Sequence, residues 1–124
     1  MASLLISLFA TVFGQEKNLE VIRADDLQVS KVVIKSKPKP HYPKLAHKQH
    51  IGATIVLRAI FRASGKVTDV KFSKVMPADL SDDLVSAFTE ECMKVAPKIK
   101  FKPATKNGHP VSMYVQLEYA FYPD

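Results

Sequence analysis

From Val111 to Phe121 the chain alternates without a break. Met113, Val115, Leu117, Tyr119 and Phe121 fall on one face, and Ser112, Tyr114, Gln116 and Glu118 fall on the other. Side chains of a strand point to its two faces in turn, so this segment must bury one side of a sheet against something apolar. The partner surface is a stripe at helical spacing, Leu84, Ala87, Phe88, Cys92 and Val95, which predicts a helix from Ser81 to Pro97. Ser81 can cap it, Asp82 and Asp83 stand in the first turn where the helix dipole favours negative charge, and Pro97 stops it. Leu80 and Val85 have the spacing of a hydrophobic staple.

The remaining elements follow from punctuation. Ala53–Ala63 reads as a strand with Ile55, Leu57, Ala59 and Phe61 on one face and Thr54, Arg58 and Arg62 on the other. Ser64-Gly65 is a tight-turn signal, and Val67–Val75 returns as the second arm of a hairpin, ended by Pro77. Pro43 suits the first turn of a short helix to Gln49. Asn107-Gly108 makes another turn. The expectation is an α+β fold, with a three-stranded antiparallel sheet packed against two helices. Val29–Lys35 has the residues for one extra N-terminal strand.

With 124 residues there is room for one domain. Its organisation reads as a signal-peptide-like segment over 1–14, a leader or extra strand over 15–36, and a folded unit over 37–122. Leu4 to Phe13 is ten uncharged residues, where a spanning helix needs about 20, so it fits the apolar region of a secretory signal with Gly14 at the cleavage point. That implies export and a mature chain beginning near Gln15. Retention of the segment would make the protein inner-membrane associated instead. Between the arm and the helix lies Ser36-Lys37-Pro38-Lys39-Pro40-His41-Tyr42-Pro43, whose prolines force an extended path. Lys35, Lys37 and Lys39 are read as exposed charges that the fold does not need.

Residue types that carry chemistry are sparse. One Cys and no more excludes an intrachain disulfide and the cysteine-rich zinc sites. Cys92 lies on the apolar helix stripe, where a free thiol behaves as a small hydrophobe. His47 and His50 are three apart but have no Asp, Glu or Cys beside them, so they read as surface histidines and not as metal ligands. The acidic pairs Asp82-Asp83 and Glu90-Glu91 diverge around a helix axis and do not converge on a substrate. No enzyme, cofactor or metal is expected. The net charge of +6 is concentrated between Leu27 and Thr68, with nine basic residues and no acidic one. Nucleic acid is disfavoured as a partner, because the sheet lacks paired exposed aromatics on which bases stack. The charge is read as solubility and loose attraction to cell-wall or other anionic polymer.

Five short runs carry a resemblance. Tyr42-Pro43-x-x-Ala46, then Gly52-Ala53-Thr54-Ile55-Val56-Leu57-Arg58 and Ser64-Gly65-Lys66-Val67-Thr68-Asp69-Val70, followed by Phe101-x-Pro103-Ala104 and Gly108-x-Pro110-Val111, resemble the C-terminal domain of TonB-type energy transducers from about Lys37 to Tyr122. The resemblance implies a periplasmic, non-enzymatic domain that binds the extended TonB-box or plug segment of an outer-membrane transporter and takes part in energy-coupled transport. It carries the binding module. The short apolar start and the brief Pro-Lys-Pro stretch do not supply the membrane anchor and long linker that couple such transducers to a proton-driven inner-membrane motor. The alternative is a periplasmic or cell-wall scaffold without energy transduction.

The last strand is the expected binding element. Val111–Phe121 contains neither Pro nor Lys, the usual devices that block a sheet edge. As a final strand it should leave one row of N–H and C=O groups free for an incoming peptide. Tyr114, Gln116 and Glu118 are the candidate contacts. His41 and Tyr42, which the resemblance places at the family's Gln-Pro-x-Tyr-Pro position, are expected to flank the peptide.

Overall fold

The computed structural model describes residues 21–22 and 29–123. The signal-like segment and most of the leader lie outside the described residues. In chain order the elements are β1 (Val21–Ile22), β2 (Val29–Ser30), β3 (Val33–Ser36), α1 (Lys44–Lys48), β4 (Ala53–Phe61), β5 (Val67–Met76), α2 (Asp82–Val95), a 3-10 turn (Ala96–Lys98), β6 (Lys100–Lys102), β7 (Ala104–Lys106) and β8 (His109–Phe121). The fold is α+β, as expected.

The main sheet runs β2-β7-β8-β4-β5, with β1 also on β8, and β3 pairs with β6 in a separate ribbon. Every pairing is antiparallel except β1 on β8. β4 ends at Phe61, not Ala63, because the chain turns there: Arg62 N–H donates to the Lys66 carbonyl at 2.8 Å and Gly65 N–H to the Arg62 carbonyl at 2.9 Å. Gly65 takes φ +94° in this turn, a value that glycine adopts without a Cβ penalty. The single N-terminal strand expected over Val29–Lys35 is two pieces, β2 and β3. The segment around Phe101-Lys102-Pro103-Ala104 forms β6 and β7.

α2 lies on the face of the sheet that carries Ile55, Leu57, Ala59, Phe61, Leu117, Tyr119 and Phe121, all buried. It contributes Leu84, Phe88, Cys92 and Val95, the stripe read from the sequence. Phe88 and Phe121 pack with ring centroids 4.7 Å apart, and Phe101 docks on Phe61 at 4.6 Å. Fully burying a ring such as that of Phe61 or Phe88 contributes about 1.5–3 kcal/mol. β4 is buried on both faces, since Val56 is fully buried although it points away from α2. It sits between Glu118 and Lys74 in the register, whose long aliphatic stems suit them to cover it. At Gly52 a Cβ would stand 2.5 Å from the Phe121 carbonyl oxygen, so the chain entering β4 passes the end of β8 too closely for any side chain.

Candidate functional site

β8 does not lie at the border of the sheet. β4 takes one of its edges from Met113 to Phe121. β1 takes the opposite edge at Ser112 and Met113, and β7 pairs with His109, Pro110 and Val111. From Tyr114 to Phe121 that edge has no strand partner among the described residues. The free row expected for the whole strand is therefore confined to its second half.

Which residues own that row follows from alternation. Arg62 N–H faces β5, through its bond to Lys66, whereas Ala63 N–H reaches toward β8 and donates to Ser112 Oγ at 3.0 Å. Even-numbered residues of β4 thus turn their main-chain groups to β5 and odd-numbered ones to β8. Their partners in the register are odd-numbered too, Ala59 with Val115 and Leu57 with Leu117. The main-chain groups of Tyr114, Gln116, Glu118 and Ala120 are left facing the open edge. An independent contact agrees: the Glu118 carbonyl accepts a bond at 2.6 Å from the Lys37 ammonium, outside the β4 ladder.

The same parity sends the side chains of Tyr114, Gln116 and Glu118 to the face away from α2, where all three are exposed. Tyr114 joins Arg58, Ala59, Ile60, Asp69 and Lys71 around a shallow cavity of ≈ 500 Å³. Within its lining Asp69 is held below the usual carboxylate range, first by the Thr68 hydroxyl and then by the Arg62 guanidinium, whose Nη2 lies 2.8 Å from Asp69 Oδ2.

His41 is exposed on the extended segment. Tyr42 is half-buried; its hydroxyl donates to the Ile51 carbonyl and its ring lies 5.7 Å from Phe121 and 6.0 Å from Phe88. It braces the end of β8 from the side. The structure thus gathers Tyr114, Gln116 and Glu118 along one strand, with Tyr42 and His41 at its far end. His47 packs edge-on against Tyr42 at 5.3 Å. No group of three His, Cys, Asp or Glu side chains is placed to hold a metal among the described residues.

Lys37 departs from its expected role. Its ammonium not only reaches Glu118 but lies 4.5 Å from the centroid of the Tyr119 ring, within cation–π range. Burial there lowers its pKa, opposed by the Glu118 carboxylate. No local signal distinguishes this lysine from Lys35 or Lys39, and only the course of the chain past β8 does so.

Residues 38–123 match the family described as Gram-negative bacterial TonB protein C-terminal. The chain belongs to that family. The TonB C-terminal domain of Pseudomonas aeruginosa, solved in solution by NMR, has the same fold. It is similar to this chain with a TM-score of 0.57 at 17% identity, over 82% of this chain and 93% of that one. No curated protein matches the chain. TonB C-terminal domains are periplasmic, serve energy-coupled transport across the outer membrane and are not enzymes. No helix among the described residues is long and apolar enough to cross a membrane.

Proposed function

We propose that this TonB C-terminal domain captures an extended segment of an outer-membrane transporter by adding it as a strand to β8. The observation that carries the reading is the row of main-chain groups of Tyr114, Gln116, Glu118 and Ala120, turned away from β4 and bare of any strand among the described residues. Such a row supplies affinity through backbone hydrogen bonds, and the side chains flanking it supply selectivity. Tyr114, Gln116 and Glu118 present those side chains, with His41 and Tyr42 at the end where the strand finishes. The apolar start at 1–14 fits a signal that delivers the module to the periplasm. An intact mass of the fractionated protein beginning near Gln15 supports that, and a retained start refutes it.

The binding test is a titration of the ¹⁵N-labelled protein with a short extended peptide from a transporter plug. Amide shifts at Tyr114, Gln116, Glu118 and Ala120 are expected, abolished by Gln116→Pro. That variant removes an N–H that faces outward, where proline is tolerated in a sheet, so the fold survives. Val115→Pro is unsuitable, because the Val115 N–H faces β4. Shifts confined to the basic segment before Thr68, or none, would rule out strand addition.

A further inference from the structure

The extended segment after β3 runs beside the open edge. Val32 packs against the cluster of Ala104 and Met113, Lys37 meets Glu118 and Tyr119, and Tyr42 rests on Phe121. From Val32 to Tyr42 the contacts therefore progress along β8 in its own direction. This stretch does not pair with β8 as a strand. Pro38, Pro40 and Pro43 have no N–H to donate, so a regular ladder is denied to them. The hydrogen bond that ties the segment to the edge comes from a side chain: the Lys37 ammonium occupies the Glu118 carbonyl.

An incoming strand needs that same carbonyl. Resting on the reading of β8 as the binding edge, we propose that Lys37 is a gate: it closes the edge in the free protein and must swing away before a partner strand can pair. The contact is strong enough to matter and weak enough to open. A hydrogen bond from a charged donor is worth more than a neutral one, and the Tyr119 ring adds a second attraction. Yet the lysine stem is flexible, and water is at hand to receive the ammonium once it leaves. A partner thus loses part of its backbone-pairing energy to displacing Lys37, which disfavours segments that fit the edge poorly.

The experiment compares wild type with Lys37→Met, which keeps an apolar stem over Tyr119 but has no ammonium, and Lys37→Arg, which keeps charge and donors. The first readout needs no partner. The Glu118 carbonyl and the Tyr119 N–H belong to one peptide group, so losing the Lys37 bond should move the Tyr119 amide ¹⁵N shift in free Lys37→Met and leave it near wild type in Lys37→Arg. The second readout is the affinity of a short synthetic peptide of alternating Val and Thr, uncharged so that no attraction to lysine confuses the comparison. It should bind Lys37→Met roughly tenfold more tightly than wild type, the scale set by one charge-assisted hydrogen bond. An unmoved Tyr119 amide overturns the gate at once. A moved amide with equal or weaker peptide binding also overturns it, and leaves strand addition standing. If the peptide perturbs no β8 edge amide in any of the three proteins, strand addition itself fails and the gate fails with it.

Discussion

Tyr119 is set by strand register into a position that its ring suits and its hydroxyl does not. The ring packs under α2 and receives Lys37 on one side, while the buried oxygen finds no hydrogen-bond partner among the described residues. A buried polar group left unpaired costs about 1–3 kcal/mol. Tyr119→Phe removes the oxygen and keeps both the packing and a ring face for the lysine, so we expect a gain of about 1 kcal/mol in urea unfolding. A destabilised variant would mean that the hydroxyl is bonded. The place of Tyr119 on the apolar face was legible from alternation alone. The neighbour across its ring was not, because Lys37 is eighty-one positions from Glu118 and nothing local marks it.

At the scale of elements, legibility follows how local the determining forces are. α2 begins and ends where its own residues say. The Ser81 side chain accepts from Leu84 N–H, Asp82 and Asp83 occupy the first turn, and the helix yields to the 3-10 turn that contains Pro97. At 3.4 Å the cap bond is long, so Ser81→Ala should cost about 0.5–1 kcal/mol, read as a lower urea midpoint at unchanged slope, with Ser81→Asp recovering it. No cost at all would show that the first-turn acids hold the helix end without the cap. β6 and β7 behave differently. Each is three residues long, and each is stabilised by chain far away in sequence: Val33 on Lys102, Val29 on Lys106. A three-residue strand carries too little alternation to be recognised. The candidate site is half legible for the same reason. That β8 is a pairing strand is written in its own residues, but which stretch of its edge stays bare is decided by β1, β4 and β7.

Across the whole molecule, packing two weak acids against one helix gives stability a direction in pH. Burial pushes the Cys92 thiol from 9.0 up to about 12 and the Tyr119 phenol from 10.0 up to about 12. The unfolded chain releases these protons near the ordinary values while the folded chain keeps them, so above pH 9 unfolding is increasingly favoured. The stability tied to these groups is complete below pH 9 and is lost as pH rises toward about 12. Lys37 acts the other way, since its lowered pKa makes the unfolded state bind more protons below 10.5. A variant that deletes one acid separates these effects. Cys92→Ala should be less stable than wild type near neutral pH, on the order of 1 kcal/mol through a small cavity. It no longer has a thiol to ionise, so its alkaline decline should be shallower. Urea midpoints of the two proteins, followed upward from pH 8, should therefore converge. Parallel curves would show that the thiol ionises as readily in the folded protein as in the unfolded one, which no fully buried cysteine on this helix face could do.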